Sequence, residues 1–492
     1  MLSFPFAKHI QMRQFLFSCF FLLSVFALFA QEDLPTDYLS KEFHAGRRAA
    51  LRAKMPDKSV VIVMASPTRT FANDVEYLYH QNPDLYYFTG YKEPHSMLLV
   101  FKEKQTGADG SAYDELLVVQ KRNAQAEQWT GRRLGVEGVQ KKLGIVTVIN
   151  GEDFKKLTID FTTFDKIIFD RIPLDIPVSA GKGADLASLV QQFKEKAAIP
   201  VDYSKEPRYD NKLYRQLTAS LREIKTPEEM DLLRKAVEIS CMGQNEVMKA
   251  VTPEMSELEI QGLHEFVHKK YGSEEVGYGS IVGAGENGCV LHYMENTKTK
   301  VGTSMLLMDV GAAYHGYSSD VTRTIPVDGK FSAEERAIYQ LVYDAQEAVF
   351  KKAKEGTTFK EIEATAREVV TTGLVKLGIA KDINEANKFY PHGCSHHIGL
   401  DVHDRANYNE LKQNMVITVE PGIYIPQGSN CDKKWWGIAV RIEDDILIRE
   451  KDYELLSIFS PRKIEDIEKM IADKSALDDF VLPKLKSAKK GF

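Results

Sequence analysis

Asp309 and Asp320 stand with ten residues between them in SMLLMDVGAAYHGYSSDVTRTIPV, two apolar runs joined by a short polar turn at Tyr314 and His315. Side chains alternate faces along a strand, so a hairpin folded about that turn brings both carboxylates to one side. The register this predicts pairs Ala313 with Gly316, Gly311 with Ser318 and Asp309 with Asp320. Directly opposed side chains have Cβ atoms about 5 Å apart, where two negative charges repel. A divalent cation between them turns that repulsion into ligation, because carboxylates are hard oxygen donors suited to Mn, Zn and similar ions. The alternative is a solvated hairpin whose acids never meet, and the hairpin alone leaves both open.

Three further segments supply ligand types near apolar strands. HGCSHHIGLDVHD carries His392, His396, His397 and His403; MVITVEPGIYI ends a strand on Glu420; GIAVRIEDDILI places Glu443 mid-strand. Ala439, Arg441 and Glu443 share one face of that strand, and Ile438, Val440 and Ile442 share the other, which is expected to pack into the core. In MVITVEP, Val416, Thr418 and Glu420 share a face, and Pro421 ends the ladder for want of an N–H. A buried unpaired carboxylate costs several kcal/mol or shifts its pKa until neutral, so four inward acids and a histidine favour one metal centre over four separate accidents.

Together these strings resemble the pita-bread metallopeptidases and, within them, the Xaa-Pro aminopeptidases, also called aminopeptidase P. SIVGAGENGCVLHYMEN, LLMDVGAAYHGYSSDVTRTIPVDGKFS, HGCSHHIGLDVHD, VEPGIYI and GIAVRIEDD occur in the family's order; NPDLYYFTGYKEP resembles its N-terminal domain and LLSIFSPRKIEDIEKM its C-terminal end. The resemblance implies an α/β N-terminal domain followed by an α+β pita-bread catalytic domain. By position it implies two divalent metal ions, bridged by Asp320 and Glu443, with Asp309 completing one shell and His396 and Glu420 the other. Four oxygen ligands and one imidazole suit Mn better than a thiolate set would. His292 and His403 match the family's substrate-side histidines, and Glu420 its proton shuttle. His392, Tyr424 and Arg441 are further substrate-side candidates. His392, set among glycines, reads more readily as a hydrogen-bonding group outside the ligand shell, Arg441 as a residue orienting the Glu443 side of the site, and His397 as packing or surface. The implied partners are peptides beginning Xaa-Pro. The family pattern also lets N-terminal residues such as Tyr86, Trp129, Arg132 and Arg133 reach a neighbour's active site, which implies a homo-oligomer, dimer or tetramer; the plainer reading is a core aromatic and solvated arginines.

At 492 residues about two domains are expected, and a net charge of −6 argues against a nucleic-acid partner. Lys8 and Arg13 precede an apolar run from Phe15 to Ala30, which reads as a secretory signal, placing the protein outside the cytoplasm, secreted or periplasmic, without stable membrane insertion after cleavage; an uncleaved anchor is the alternative. The bounds expected are a signal over 1–30, an N-terminal domain over 31–210, a catalytic domain over 211–475 and a basic tail over 476–492. A linker of charged and turn-forming residues is expected near Tyr203 to Tyr214. Before it, SVVIVMAS, SMLLVF, ELLVVQ and KIIF read as strands of an α/β domain. After it, Thr226-Pro227-Glu228-Glu229 is a capping box opening a helix with Met230, Leu233 and Val237 on one stripe. Cys241, Cys289, Cys394 and Cys431 follow neither a disulfide framework nor a zinc motif and read as free.

Two features depart from the family. After DVHD the family continues Val-Gly, whereas this chain has Arg405-Ala406, altering the pocket rim; and the Trp435-Trp436 pair is either a binding surface or core. Three functions follow: Xaa-Pro aminopeptidase, prolidase (the Xaa-Pro dipeptidase of the same fold), or a metal-free pita-bread binding module. A module has no physical reason to keep four converging acids, while the metal site by itself cannot report peptide length.

Overall fold

The computed structural model describes residues 35–177, 183–479 and 482. Its contacts divide the chain into Met1–Leu39 and Ser40–Phe492; of the first, residues 35–39 are described and hold no helix or strand. The expected signal over 1–30 and most of the tail over 476–492 lie outside the described residues. Among the described residues no helix is long and apolar enough to cross a membrane.

Within Ser40–Phe492, the four apolar runs expected as strands form a mixed five-stranded sheet in the order Val148–Asn150, Ala112–Val119, Met97–Thr106, Ser59–Met64, Lys166–Phe169. Val148–Asn150 is too short to announce itself in the sequence and joins through three pairs beside Leu117, Val118 and Val119. The stretch expected as a linker is helical from Asn211: Asp210 accepts from Leu213 N, and the helix Asn211–Arg222 buries Tyr214, Leu217 and Leu221. Its apolar spacing of three and four overrides the polar composition.

Thr226 and Glu229 form the reciprocal capping box with Pro227 in the first turn, opening Pro227–Ala250 with Met230, Leu233 and Val237 buried. That helix packs beside Glu257–Lys270, and Ala333–Phe350 packs beside Phe359–Lys376. Against them lie short antiparallel strands: Val321–Pro326, Met305–Val310 and Ile281–Ala284 in one sheet; Val416–Val419, Asp444–Ile448 and Tyr453–Leu455 in a second; Gly422–Ile425 with Ile438–Arg441 in a third. Ile438, Val440 and Ile442 enter the core as expected. Trp435 is core as well, with Trp436 packed against that core and its Nε1 donating to Ser429 O. The four cysteines of the described residues, Cys241, Cys289, Cys394 and Cys431, are free.

One buried ion cluster ties the helix Asn211–Arg222 to both Asp84 and the loop around His403. Arg222 Nη1 donates to Asp84 Oδ1 at 2.8 Å, and its Nη2 donates to Asp401 Oδ2 at 2.9 Å and to Asp404. Lys225 Nζ donates to the other oxygen of Asp404 at 2.7 Å. Arg222, Asp84, Lys225 and Asp404 are all buried, so each charge depends on its partners. Arg222→Met should therefore destabilise the fold by about 3 kcal/mol, as expected when one member of a buried cluster is removed. Denaturant unfolding reads this, and an unchanged midpoint would contradict it.

Candidate metal centre

The hairpin that carries Asp309 and Asp320 turns at His315 (φ 49°) and Gly316 (φ 90°), the two positive-φ residues of a mirror-image turn. Tyr314 pairs with Tyr317 and Ala313 with Ser318; beyond an irregular stretch Val310 pairs with Val321 and Asp309 with Thr322. The expected pairing of Asp309 with Asp320 is thus corrected. Gly316 takes the left-handed conformation that Tyr314 would resist, so the turn sits one residue later and Asp320 becomes a diagonal neighbour of Asp309. His315 is held in place by Glu274, whose Oε2 accepts from its backbone N at 2.8 Å and whose Oε1 lies 2.6 Å from its Nδ1. A slip of two residues preserves the face, and the acids still converge. The Tyr278 hydroxyl lies 2.5 Å from an oxygen of each; having one proton, it donates to one carboxylate at a time.

Two buried glutamines hold the four acid-bearing strand ends together. Gln244 Nε2 donates to Met308 O at 3.0 Å and to Val321 O at 2.8 Å. Gln346 Nε2 donates to Val419 O at 2.9 Å and to Ile442 O at 3.1 Å. Each carbonyl belongs to the immediate neighbour of Asp309, Asp320, Glu420 or Glu443. The same device therefore serves each half of the site, one helix per half. Neither glutamine figures in the sequence reading, yet both were visible to it. The stripe Met230, Leu233, Val237 reaches Gln244 one heptad on, and Tyr339, Val342 and Val349 bracket Gln346 in the same spacing.

His396 arrives on a loop laid along the strand Val416–Val419. Its N donates to Thr418 Oγ1 at 3.2 Å, Thr418 N donates to its O at 2.9 Å, and Glu420 N donates to Cys394 O at 2.8 Å. Its Nε2 then lies 3.4 Å from Asp320 Oδ2, 3.4 Å from Glu420 Oε1 and 4.0 Å from Glu443 Oε1. Thr322 Oγ1 donates to Glu443 Oε2 at 2.6 Å, and Asp445 Oδ2 accepts from Asp320 N at 3.0 Å. Asp309, Asp320, His396, Glu420 and Glu443 line one cavity of about 450 Å³ with His292, His392, His403 and Arg441, and Ile281, Leu291, Met294 and Val402 give it an apolar wall.

Two expected roles meet different geometry, those of Arg441 and Tyr424. Arg441 reaches Asp309 directly and Glu443 only through Thr322: its Nη2 donates to Asp309 Oδ2 at 2.5 Å and its Nε to Thr322 Oγ1 at 3.3 Å, and that hydroxyl donates to Glu443. Tyr424 does not line the cavity but lies behind it, its hydroxyl accepting from Arg441 Nη1 at 2.8 Å and lying 2.8 Å from His392 Nε2. His392 has its other ring nitrogen 2.8 Å from Gly393 O and 3.6 Å from Glu420 Oε2, so it borders the acid cluster as a hydrogen-bonding neighbour. His397 is a packing residue, its ring centroid 5.0 Å from those of Phe359 and Tyr408. Tyr278 had no sequence signal, because nothing in GYGS distinguishes a site tyrosine from an ordinary one.

Three buried acids and the partly buried Glu420 face one arginine and one histidine, and the imbalance shows in their protonation. Burial, then the charges of Asp320, Glu420 and Asp309, push Glu443 well above the usual carboxylate range. Burial, with Asp320 and Asp309 adding to it, raises Glu420 to about 8. Burial also raises Asp309 against the pull of Arg441. Burial opposes the charging of His396, but Asp320 and Glu420 overcome it and hold the ring at about 9, and His396 in turn keeps Asp320 low against its own burial. Such a cluster lacks positive charge. Ligating atoms of Asp320, His396 and Glu443 lie within 4.8 Å of one another, and the oxygen-rich donor set fits divalent ions.

Comparison with known proteins agrees. Metallopeptidase family M24 matches residues 231–450, and the family described as "Aminopeptidase P, N-terminal domain" matches residues 44–166. The Xaa-Pro aminopeptidase of Escherichia coli (strain K12) is 34% identical over 451 residues, covering 88% of this chain and 98% of its own length. The structure of aminopeptidase P from E. coli with the inhibitor Pro-Leu superposes with a TM-score of 0.77 at 32% identity, again covering 88% and 98%. A zinc-substituted form of that enzyme in complex with product gives 0.76 at 32% identity over the same coverage. Fold and site thus define a metallopeptidase with the pita-bread architecture. The chain belongs to the aminopeptidase P branch of metallopeptidase family M24.

Metal loading should displace protons, because Glu420 and His396 both hold them at pH 7 in the metal-free protein. Apparent affinity should rise as pH is raised through about 8 to 9. In the metal-free protein Glu420 binds its proton more tightly folded than unfolded, so its contribution to stability falls as pH rises from 4.5 towards about 8. Calorimetry in two buffers of different ionisation enthalpy counts the protons released; metal binding that releases none contradicts the assignment.

Proposed function

We propose that the chain is a dinuclear metallo-exopeptidase that removes the first residue from peptides whose second residue is proline. One observation carries this reading: four acids and His396 converge on a single cavity that also holds His292 and His403 and has an apolar wall of Ile281, Leu291, Met294 and Val402. Asp309, Asp320, His396, Glu420 and Glu443 would hold the two divalent ions. Manganese is the proposed ion, supported by four carboxylate ligands to one imidazole. When bound, the ions supply Lewis acidity that lowers the pKa of a water and polarises the scissile carbonyl.

The chain's own residues do the rest. Glu420 takes a proton from the attacking water and returns it to the leaving nitrogen. His403 stands edge-on to His396 with ring centroids 4.3 Å apart, and burial lowers its pKa, so the ring facing the cavity is neutral and donates to the developing oxyanion. His292 faces the same cavity and takes the carbonyl side. Arg441 fixes Asp309 in place and favours its charged form against burial. The apolar wall of Ile281, Leu291, Met294 and Val402 accepts a pyrrolidine ring, and a bond before proline has no N–H for a general peptidase to grip.

Two further proposals rest on narrower support. A homo-oligomer is supported by Trp129, which stands 85% exposed instead of entering the core; Tyr86, by contrast, is buried. Export from the cytoplasm is supported only by Lys8, Arg13 and the apolar run to Ala30.

Asp320→Ala or Glu443→Ala should lose bound metal and activity together, whereas His292→Ala and His403→Ala should keep both ions and lose kcat by about 10²- to 10³-fold. Elemental analysis beside kinetics checks this, and metal loss in the histidine variants would show the ligands misassigned. Replacing proline by alanine in Xaa-Pro-Xaa should reduce kcat/KM by roughly the 1 to 3 kcal/mol of lost apolar contact. Equal cleavage of the alanine peptide means a general aminopeptidase, and cleavage confined to the dipeptide means prolidase.

A further inference from the structure

His403 forms part of two walls. On one side lies the metal-site cavity; on the other lies a broader cleft of about 770 Å³ between the loop Asp401–Tyr408 and the residues around Arg171 and Lys212. Most charges in and around that cleft cancel. Asp170 accepts from Arg405 Nη2 at 2.8 Å and from Arg215 Nε at 3.2 Å, Asp84 pairs with Arg405 at 3.3 Å and Arg222 at 2.8 Å, and Arg222 and Lys225 take up Asp401 and Asp404. In that network Asp84, Asp170, Asp401 and Asp404 balance Arg215, Arg222, Lys225 and Arg405. Asp210 pairs with Lys166 at 2.8 Å. Two cations lining the cleft remain, Arg171 and Lys212; both are exposed, and among the described residues neither has an ion-pair partner. Lys212 lies in the field of Asp210, whose salt bridge goes to Lys166.

Arg405 gives this surplus its setting. It is the residue at which the chain departs from the family's Val-Gly, and it locks the loop after His403 to Asp84 and Asp170 while its guanidinium sits 5.5 Å from the Tyr214 ring. The loop therefore forms a fixed partition with the substrate-facing histidine at its edge, and the uncompensated positive charge lies on its far side.

We propose that this cleft continues the substrate channel and receives the C-terminal carboxylate of short peptides, drawn by Arg171 and Lys212, so that the protein prefers free-acid peptides of a length that spans the partition. The proposal rests on the Xaa-Pro reading for its substrate. Each added residue extends a peptide by at most about 3.3 to 3.6 Å, so the preference should appear at one length and fade beyond it.

The test uses the full metal-loaded chain and peptides Ala-Pro-Ala, Ala-Pro-Ala-Ala and Ala-Pro-Ala-Ala-Ala, each as free acid and as C-terminal amide. Amidation should raise KM by about 3- to 10-fold at the favoured length with little change in kcat, the scale of two exposed charge contacts, and the effect should shrink in high salt. Arg171→Ala combined with Lys212→Ala should abolish the acid–amide difference. Calorimetric binding of Pro-Ala-Ala against its amide provides a readout independent of turnover. Cleavage with equal constants for acid and amide at every length, or a difference that survives in the double variant, overturns the cleft's role and leaves the Xaa-Pro reading standing. Acid-preferring product binding without cleavage of any of the peptides supports the cleft and removes that reading instead.

Discussion

Mutual repulsion among Asp309, Asp320, Glu420 and Glu443 is the constraint around which the rest of the catalytic half is arranged. Four carboxylates withdrawn from water into one cavity are unfavourable in isolation. The structure meets that cost with Arg441 on Asp309, His396 on Asp320, Thr322 on Glu443 and the Tyr278 hydroxyl between the two aspartates. These partners do not suffice, as the raised Glu443 and Glu420 show. The remaining deficit is what gives the site its affinity for divalent cations.

Holding like charges together requires a rigid frame. The frame is supplied by strand ends pinned at their carbonyls by Gln244 and Gln346, each projecting from a long helix with a well-formed N-terminal cap. Because a glutamine amide carries two N–H donors, one side chain can take two main-chain carbonyls at once, each beside one of the acids. The acids thus inherit their positions from helix packing as much as from strand pairing. The two kinds of order meet at Asp309: its strand pairs with both Ile281–Ala284 and Val321–Pro326, while Gln244 grips the carbonyl just before it.

A second electrostatic system governs the substrate side. The Arg222 cluster and Arg405 fasten the loop bearing His403 to residues far away in sequence, Asp84 and Asp170. The histidine's position is therefore set by the first half of the chain as well as the second. Buried clusters of this sort contribute little net stability when intact but are costly to break. They define a geometry, and here the geometry is that of His403 and of the loop on which it stands.

Much of this was legible in the chain itself. The period of two in MVITVEP and GIAVRIEDD put Glu420 and Glu443 on definite faces, the capping box at Thr226 marked its helix, and the ligand types in their order pointed to one metal centre. These are local properties, set by alternation, capping and chemistry within a few residues. The turn register was not, because Tyr314-His315 and His315-Gly316 both read as turns until Glu274 fixes His315 in its left-handed conformation. Arg441's choice of Asp309 over Glu443 and the withdrawal of Tyr424 behind the cavity were likewise decided by strands meeting across long separations. The surplus charge at Arg171 and Lys212 belongs with them: only the folded chain shows which cations have already found an acid. Sequence determines which groups are present and which way each strand turns them; tertiary structure decides which charges are left unpaired.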